Sequence, residues 1–400
     1  MRVGVITNRN LRSPWASTHF YMHRALRRLG VDARHVAGKE IADYHACQGG
    51  RKNGRRFAGK QQPSPFTPEL TQAVKQDIER SRYDALLALH ASTVIPSLKI
   101  ECPLVYVTDA TAALLNNYYP TRQELSEQYI EQLQKCEETT IAKSDAVLVP
   151  TQWAADSVVQ DYGAEPSRVH TIEWGGNLDR MPHSSGELAS EELASEKMAV
   201  ESLASDWPQP SGDRQIRFLF VGLDWHRKGG DIATKMIEVL RASGVEAVMT
   251  VVGASIPKQD RSPYVRSLGM LNRANRQESA KLDRLFCSAD FYIHPARAEC
   301  YGHVLCEALG FGVPVIATRT GGISQCVIDG ETGVLLRPEA SAEEFAQSVQ
   351  ELLADRPALT EMSANAVQDF RKRLNWDRWA PRVQTIMQGL LSPTVQTSSE

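Results

Sequence analysis

The chain has 400 residues, of which 42% are hydrophobic and 23% charged, with a formal net charge of −3. That is the composition of a soluble chain with apolar material for two or three ordinary domains, and it excludes the broadly basic surface that nucleic-acid binding requires. The seven cysteines are odd in number and form no C-x-x-C pair, which argues against a disulfide framework or a thiolate zinc site.

The opening MRVGVITNRN predicts a strand over residues 3–7. It lacks the apolar core and cleavage site of a signal peptide, and no apolar run approaches the ~20 residues that span a bilayer. The expectation is a cytoplasmic protein, at most peripheral at a membrane. A helix is expected from Ser17 or Thr18 to Gly30, with Phe20, Leu26 and Leu29 on its apolar side and Arg24, Arg27 and Arg28 favouring its C-terminal end. Trp15, just before it, is a candidate acceptor contact. The run RKNGRRFAGK, residues 51–60, begins at Arg51 and ends at Lys60. It reads first as a solvated loop and second as a contact for an anionic membrane surface or acceptor.

Thr67 and Pro68 read as an N-cap and a first-turn proline, followed by Leu70, Val74 and Ile78 at i, i+4 and i+8. Compact apolar runs at 85–89, 104–107 and 146–149 predict buried parallel strands, separated by helices at about 121–142 and 153–162. His90 and Asp109 sit at the ends of two of these strands. They are candidate assisting or acceptor groups, although a lone residue at a strand end is more often structural.

Residues 184–213 are rich in Ser, Ala and Glu and break this rhythm. They read as an acidic linker or insertion, assigned as 179–214, between domains at 1–178 and 215–373. After it, strands are expected at 216–221, 245–252, 291–294, 313–317 and 334–336. Helices are expected at 231–241, 278–287, from Gly302, and at 342–354 and 358–373. Ser341 and Glu344 have capping-box spacing. A last helix is assigned to 374–392 and a disordered tail to 393–400. Two doubly wound α/β domains in tandem are expected to face each other across a cleft at their strands' carboxyl ends.

Three stretches carry chemistry. In PARAECYGHVLCEALGFGVPVIATRTGG, Glu299 follows a strand and Glu307 lies in the next helix. Backbone N–H groups at Tyr301, Gly302 and His303 would form a first-turn anion cradle. Glu307 could accept hydrogen bonds from a diol such as a ribose. In FLFVGLDWHRKGGD, Gly222 ends a strand, and Arg227 and Lys228 sit beside a helix start, where an α/β sheet binds anions. Gly321 and Gly322 either approach a ligand or make a tight turn. No Asp-x-Asp or H-E-x-x-H spacing occurs, so no metal or other cofactor is expected.

These motifs, in this order, resemble retaining GT-B glycosyltransferases of family 4, strongly over about 216–340 and more weakly over 144–163 and 169–179. The resemblance implies a GT-B fold with a crossover helix returning to the first domain. It implies transfer of a sugar from a UDP- or GDP-sugar to a hydroxyl acceptor in glycan or glycolipid synthesis. By the same resemblance Glu299 contacts the donor sugar, Glu307 the ribose, and Arg227 and Lys228 the diphosphate. Domain closure would expel water. A nucleotide-sugar epimerase and a non-catalytic sugar-nucleotide scaffold are the alternatives. The first half departs from the family: it lacks the Gly-Gly loop after strand one and has Thr108-Asp109 where many members have His-Asp.

Overall fold

The computed structural model describes residues 1–9, 11, 18–48, 67–122, 124–179 and 215–392. Trp15, the basic run at 51–60, the acidic segment from 180 to 214 and the tail at 393–400 lie outside them. The chain divides into two units, Met1–Glu173 with Trp376–Glu400, and Trp174–Asn375.

The first unit is built from β1 (Arg2–Ile6), α1 (Thr18–Arg28), β2 (Asp32–His35), α2 (Gly38–Gln48), α3 (Pro68–Ser81), β3 (Ala85–Leu89), β4 (Leu104–Val107), α4 (Ala112–Tyr118), α5 (Glu127–Lys143), β5 (Ala146–Val149), α6 (Gln152–Gln160) and β6 (Val169–Thr171). Its six strands are all parallel, in the order β2-β1-β3-β4-β5-β6. Every residue of β3, β4 and β5 is buried, which is why these strands read as unbroken apolar runs. Thr67 caps α3 by accepting from the Leu70 N–H.

Two helical expectations need correction. Helix α1 buries Tyr21, Met22, Ala25 and Leu26, whereas Leu29 is exposed and Phe20 half-buried. The helix expected at 121–142 begins at Glu127, where the Ser126 hydroxyl accepts from the Tyr129 N–H. A separate helix, α4, capped by Thr111, precedes it.

The second unit contains β7 (Ile216–Gly222), α7 (Gly230–Ala242), β8 (Ala247–Gly253), β9 (Val265–Ser267), α8 (Arg276–Ser288), β10 (Phe291–His294), α9 (His303–Gly310), β11 (Val315–Thr318), α10 (Ile323–Cys326), β12 (Gly333–Leu336), α11 (Ala342–Ala354) and α12 (Arg356–Lys372). Its order is β12-β11-β10-β7-β8-β9, again all parallel. Counted from β7 this is 3-2-1-4-5-6, and the order reverses between β7 and β10. Both halves of the Ser341–Glu344 capping box are formed. The last helix, α13 (Trp376–Leu391), packs on α1 of the first unit, with Trp379, Val383 and Met387 buried along one face. Arg382 holds it to Glu173 at 2.9 Å and to the Thr171 carbonyl at 3.0 Å.

The junction of β7, α7 and β10 is locked by one glycine. Gly229 has φ +75°, and a Cβ there would lie 1.9 Å from the Pro295 carbonyl oxygen. Gly244 has φ +89° but open space around it. Gly244→Ala is therefore expected to cost only the left-handed backbone term, about 1–2 kcal/mol. Gly229→Ala adds a backbone collision and is expected to cost about 3 kcal/mol or more. Urea unfolding of the two variants, followed by tryptophan fluorescence, measures the difference.

Candidate functional site

In the second unit, β7 and β10 are neighbours whose following chains turn in opposite directions along the sheet. A crevice opens at such a reversal. The chain after β7 and the chain after β10 are clasped across it. The Arg227 guanidinium donates to the Ala298 carbonyl at 2.7 Å, and the Arg297 N–H donates to the Arg227 carbonyl at 2.8 Å. Arg297 also donates to the His226 carbonyl at 2.6 Å and pairs in bidentate fashion with Asp231 at 2.8 and 2.7 Å.

This clasp brings Glu299 against three nitrogen donors that converge on Oε2. Lys228 Nζ makes a short ion pair, His294 Nε2 lies at 3.2 Å and Arg227 Nη1 at 3.7 Å. Glu299 is only 8% exposed. Burial pushes its pKa up, but Lys228, His294 and Arg227 together hold it well below the carboxylate range. His294 is held neutral, its pKa lowered to about 4 by burial and by Lys228. Arg227 is shared, its Nε lying 3.7 Å from Asp224 Oδ2, so Lys228 and Arg227 stand against two carboxylates, Glu299 and Asp224. Gly222 lets the Lys228 stem pass: a Cβ there would meet Lys228 Cγ at 3.1 Å.

Gly302, at φ +91°, is the N-cap of α9. Tyr301 and His303 were expected to serve through their backbone N–H groups, and their side chains are engaged elsewhere. The Tyr301 ring is core, with its hydroxyl donating to the Trp174 carbonyl at 2.6 Å. The His303 ring stacks on Trp174 and bonds the Gly175 carbonyl at 3.1 Å. Both side chains thus anchor the start of α9 to residues 174–175, and only the backbone there remains for a ligand. Glu307 is buried and joined to Arg273 at 3.0 Å, and Arg273 also pairs with Asp283. Burial raises the Glu307 pKa despite Arg273. The Gly322 N–H is taken by the Glu299 carbonyl at 3.2 Å, so at this residue the glycine pair makes a turn rather than a ligand contact.

The first unit assembles a second polar group at its own reversal point, between β1 and β3. Thr7 Oγ1 lies 2.6 Å from His19 Nδ1, His19 Nε2 lies 2.7 Å from His90 Nδ1, and His90 Nε2 lies 3.0 Å from Asp109 Oδ1. With both imidazoles neutral and protonated on Nε2, every link has one donor and one acceptor, running from the Thr7 hydroxyl to the Asp109 carboxylate. The two rings stack with centroids 4.9 Å apart. His90 has φ +48°, a costly conformation for a residue with a Cβ. His90 and Asp109 are therefore not the lone strand-end residues of the sequence reading. His19, Thr7 and His294 were missed as site residues. Thr7 and His294 lie at or next to strand ends and His19 at a helix start, and only the strand order identifies them.

Comparison with known proteins supplies the family context. Residues 204–369 match the model described as Glycosyl transferases group 1, and residues 17–180 the model described as Glycosyltransferase Family 4. The D-inositol 3-phosphate glycosyltransferase of Rhodococcus jostii (strain RHA1) is 26% identical over 295 residues, covering 70% of this chain and 59% of its own. The chain thus spans less than two thirds of that relative's length. Sucrose-phosphate synthase from Thermosynechococcus elongatus superposes with a TM-score of 0.69 at 17% identity, covering 98% of this chain and 99% of its own. The Anabaena protein HepE in complex with UDP-glucose superposes with a TM-score of 0.65 at 17% identity, covering 97% and 100%.

The buried His294–Glu299 pair predicts acid sensitivity. His294 titrates near 4 when folded and near its ordinary 6.5 when unfolded, so the unfolded chain binds the extra proton first as pH falls. Glu299, with its folded pKa lowered, loses its contribution on further acidification. Thermal unfolding midpoints are expected to fall from pH 6.5 toward pH 4. In His294→Gln the upper part of that slope should flatten.

Proposed function

We propose that this chain, a GT-B protein resembling glycosyltransferase family 4, transfers a sugar from a nucleoside diphosphate sugar to a hydroxyl acceptor with retention of anomeric configuration. The observation that carries the reading is the convergence of Lys228 and Arg227 on buried Glu299 at the β7–β10 reversal. The name of the Rhodococcus relative and the UDP-glucose held by HepE favour a UDP-sugar donor and a polyol-type acceptor.

In this reading the diphosphate of the donor competes with Glu299 for the two cations. As the bond from the anomeric carbon to the diphosphate oxygen breaks, negative charge grows on the leaving phosphate. Lys228, Arg227 and the backbone N–H groups at the start of α9 are preformed to receive it. Glu299, kept ionised by the same cations, accepts hydrogen bonds from the sugar and sets its orientation. Glu307, fixed by Arg273, is suited to the ribose hydroxyls. The acceptor oxygen bonds the anomeric carbon from the side the diphosphate leaves, and its proton passes to the departing phosphate oxygen. The nucleoside diphosphate and the glycoside are the products. In this reading the leaving charge is met by Lys228, Arg227 and the amides at the start of α9 once the diphosphate displaces their carboxylate partners. The His19–His90–Asp109 chain of the first unit is the candidate for orienting the acceptor hydroxyl.

A thermal-shift screen of UDP, GDP and their sugars is expected to show selective stabilisation by one donor. Lys228→Ala should then lower kcat by about 100-fold or more. His90→Ala should reduce transfer while leaving UDP binding unchanged. Turnover of donor to an isomeric nucleotide sugar without acceptor would reject transfer in favour of epimerisation, and stabilisation without any turnover would reject catalysis.

A further inference from the structure

A cavity of about 1040 Å³ lies wholly within the first unit, on the edge strand β2 and beside α1 and the start of α2. Its wall carries Arg24, Arg27 and Arg28 from α1, Arg34 from β2 and Lys39 from α2, with His23 and His35 between them. Arginines in the last turn of a helix often do no more than complement its dipole, and Arg27 and Arg28 alone would be read so. Arg24, Arg34 and Lys39 come from other positions and face the same space. The acids of the wall do not cancel them all. Asp32 is taken by Arg34 at 2.9 Å and by Arg2 at 3.5 Å. Asp77 accepts from the Ala37 N–H, the Ser81 hydroxyl and the Tyr83 hydroxyl at 2.6, 2.6 and 3.1 Å. Glu40 is the remaining acid. Among the described residues, Arg27, Arg28 and Lys39 have no acidic partner within ion-pair distance.

Part of this wall is preorganised. The Arg24 guanidinium lies 4.5 Å from the centroid of the Tyr21 ring and 5.3 Å from that of Phe20, which fixes its plane. The His23 imidazole donates to the Ala33 carbonyl at 3.1 Å, and His35 Nε2 lies 3.3 Å from the Thr7 carbonyl. A planar fork held on aromatic rings, beside three cations that have no acidic partner among the described residues, matches the donor pattern that binds phosphate oxygens. The volume suits a small headgroup rather than a polymer.

We infer that the groove between α1, β2 and α2 binds a phosphate-bearing small group, either free or as the headgroup of a lipid. The site uses no residue of the second unit and stands independently of the transfer reaction.

The test is made on the full chain. Glycerol 3-phosphate binding is measured by calorimetry, and vesicle binding by co-sedimentation with phosphatidylcholine alone or mixed with phosphatidylglycerol. The double variant Arg27→Glu/Arg28→Glu reverses two exposed charges. Lys235→Glu/Lys281→Glu, on the second unit, is the charge-matched control. Wild type is expected to bind glycerol 3-phosphate, phosphatidylglycerol vesicles or both, and the α1 variant about tenfold or more weakly. The control variant and Lys228→Ala should leave that binding intact, and the α1 variant should still bind UDP as wild type does. Binding only to vesicles assigns the lipid source, and only to glycerol 3-phosphate the free one. Absence of both, loss in Lys228→Ala, or equal loss in the control variant would overturn the inference.

Discussion

The second unit is organised around one buried carboxylate. Glu299 is nearly inaccessible, and Lys228, Arg227 and His294 around its Oε2 favour its ionised form against the effect of burial. Removing charges from water is expensive, and a buried ion pair is rarely a net source of stability. The neighbouring architecture offsets that cost. The Arg227–Ala298 bond, the Arg297–Asp231 fork and Gly229 pressed on Pro295 all hold the two strand ends together. Each of these contacts joins the chain after β7 to the chain after β10. The cluster therefore exists only when the sheet has brought its first and fourth strands side by side.

A second acid is handled in the opposite sense. Glu307 sits inside α9, where burial raises its pKa and Arg273 is its partner on one side. Arg273 is itself shared with Asp283, so its charge is divided between two carboxylates. The helix that carries Glu307 is fixed at its start by Tyr301 and His303, whose rings pack on Trp174. Gly176 continues that packing: a Cβ there would come within 3.0 Å of the Glu307 N–H. The segment 174–178 is thus part of what sets the height of Glu307 along the crevice.

How much of this was legible in the sequence follows from the range of the forces involved. The fully buried strands β3, β4, β5 and β10 were visible because burial on both faces leaves an unbroken apolar run. The peripheral strands β2, β6 and β9 went unread because they are short and only partly buried, so their composition carries no such run. Caps at Thr67 and Ser341 were readable because they act within four residues. The roles of Tyr301 and His303 were not, since they depend on Trp174, more than a hundred positions away. The same holds for His19 and His90, separated by 71 residues and joined only through the strand order.

The two units share a plan and differ in their chemistry. Each gathers its polar groups at the point where strand order reverses, between β1 and β3 in one and between β7 and β10 in the other. The second unit furnishes permanent cations, Lys228 and Arg227, held against buried or half-buried carboxylates. The first furnishes a hydroxyl, two imidazoles and a carboxylate in a directed chain that passes through a histidine held in a left-handed conformation. Such a chain has a defined hydrogen-bond direction rather than a cluster of fixed cations. The strain at His90 is meaningful in this light. The backbone at φ +48° is the conformation in which the His90 ring bonds His19 on one side and Asp109 on the other.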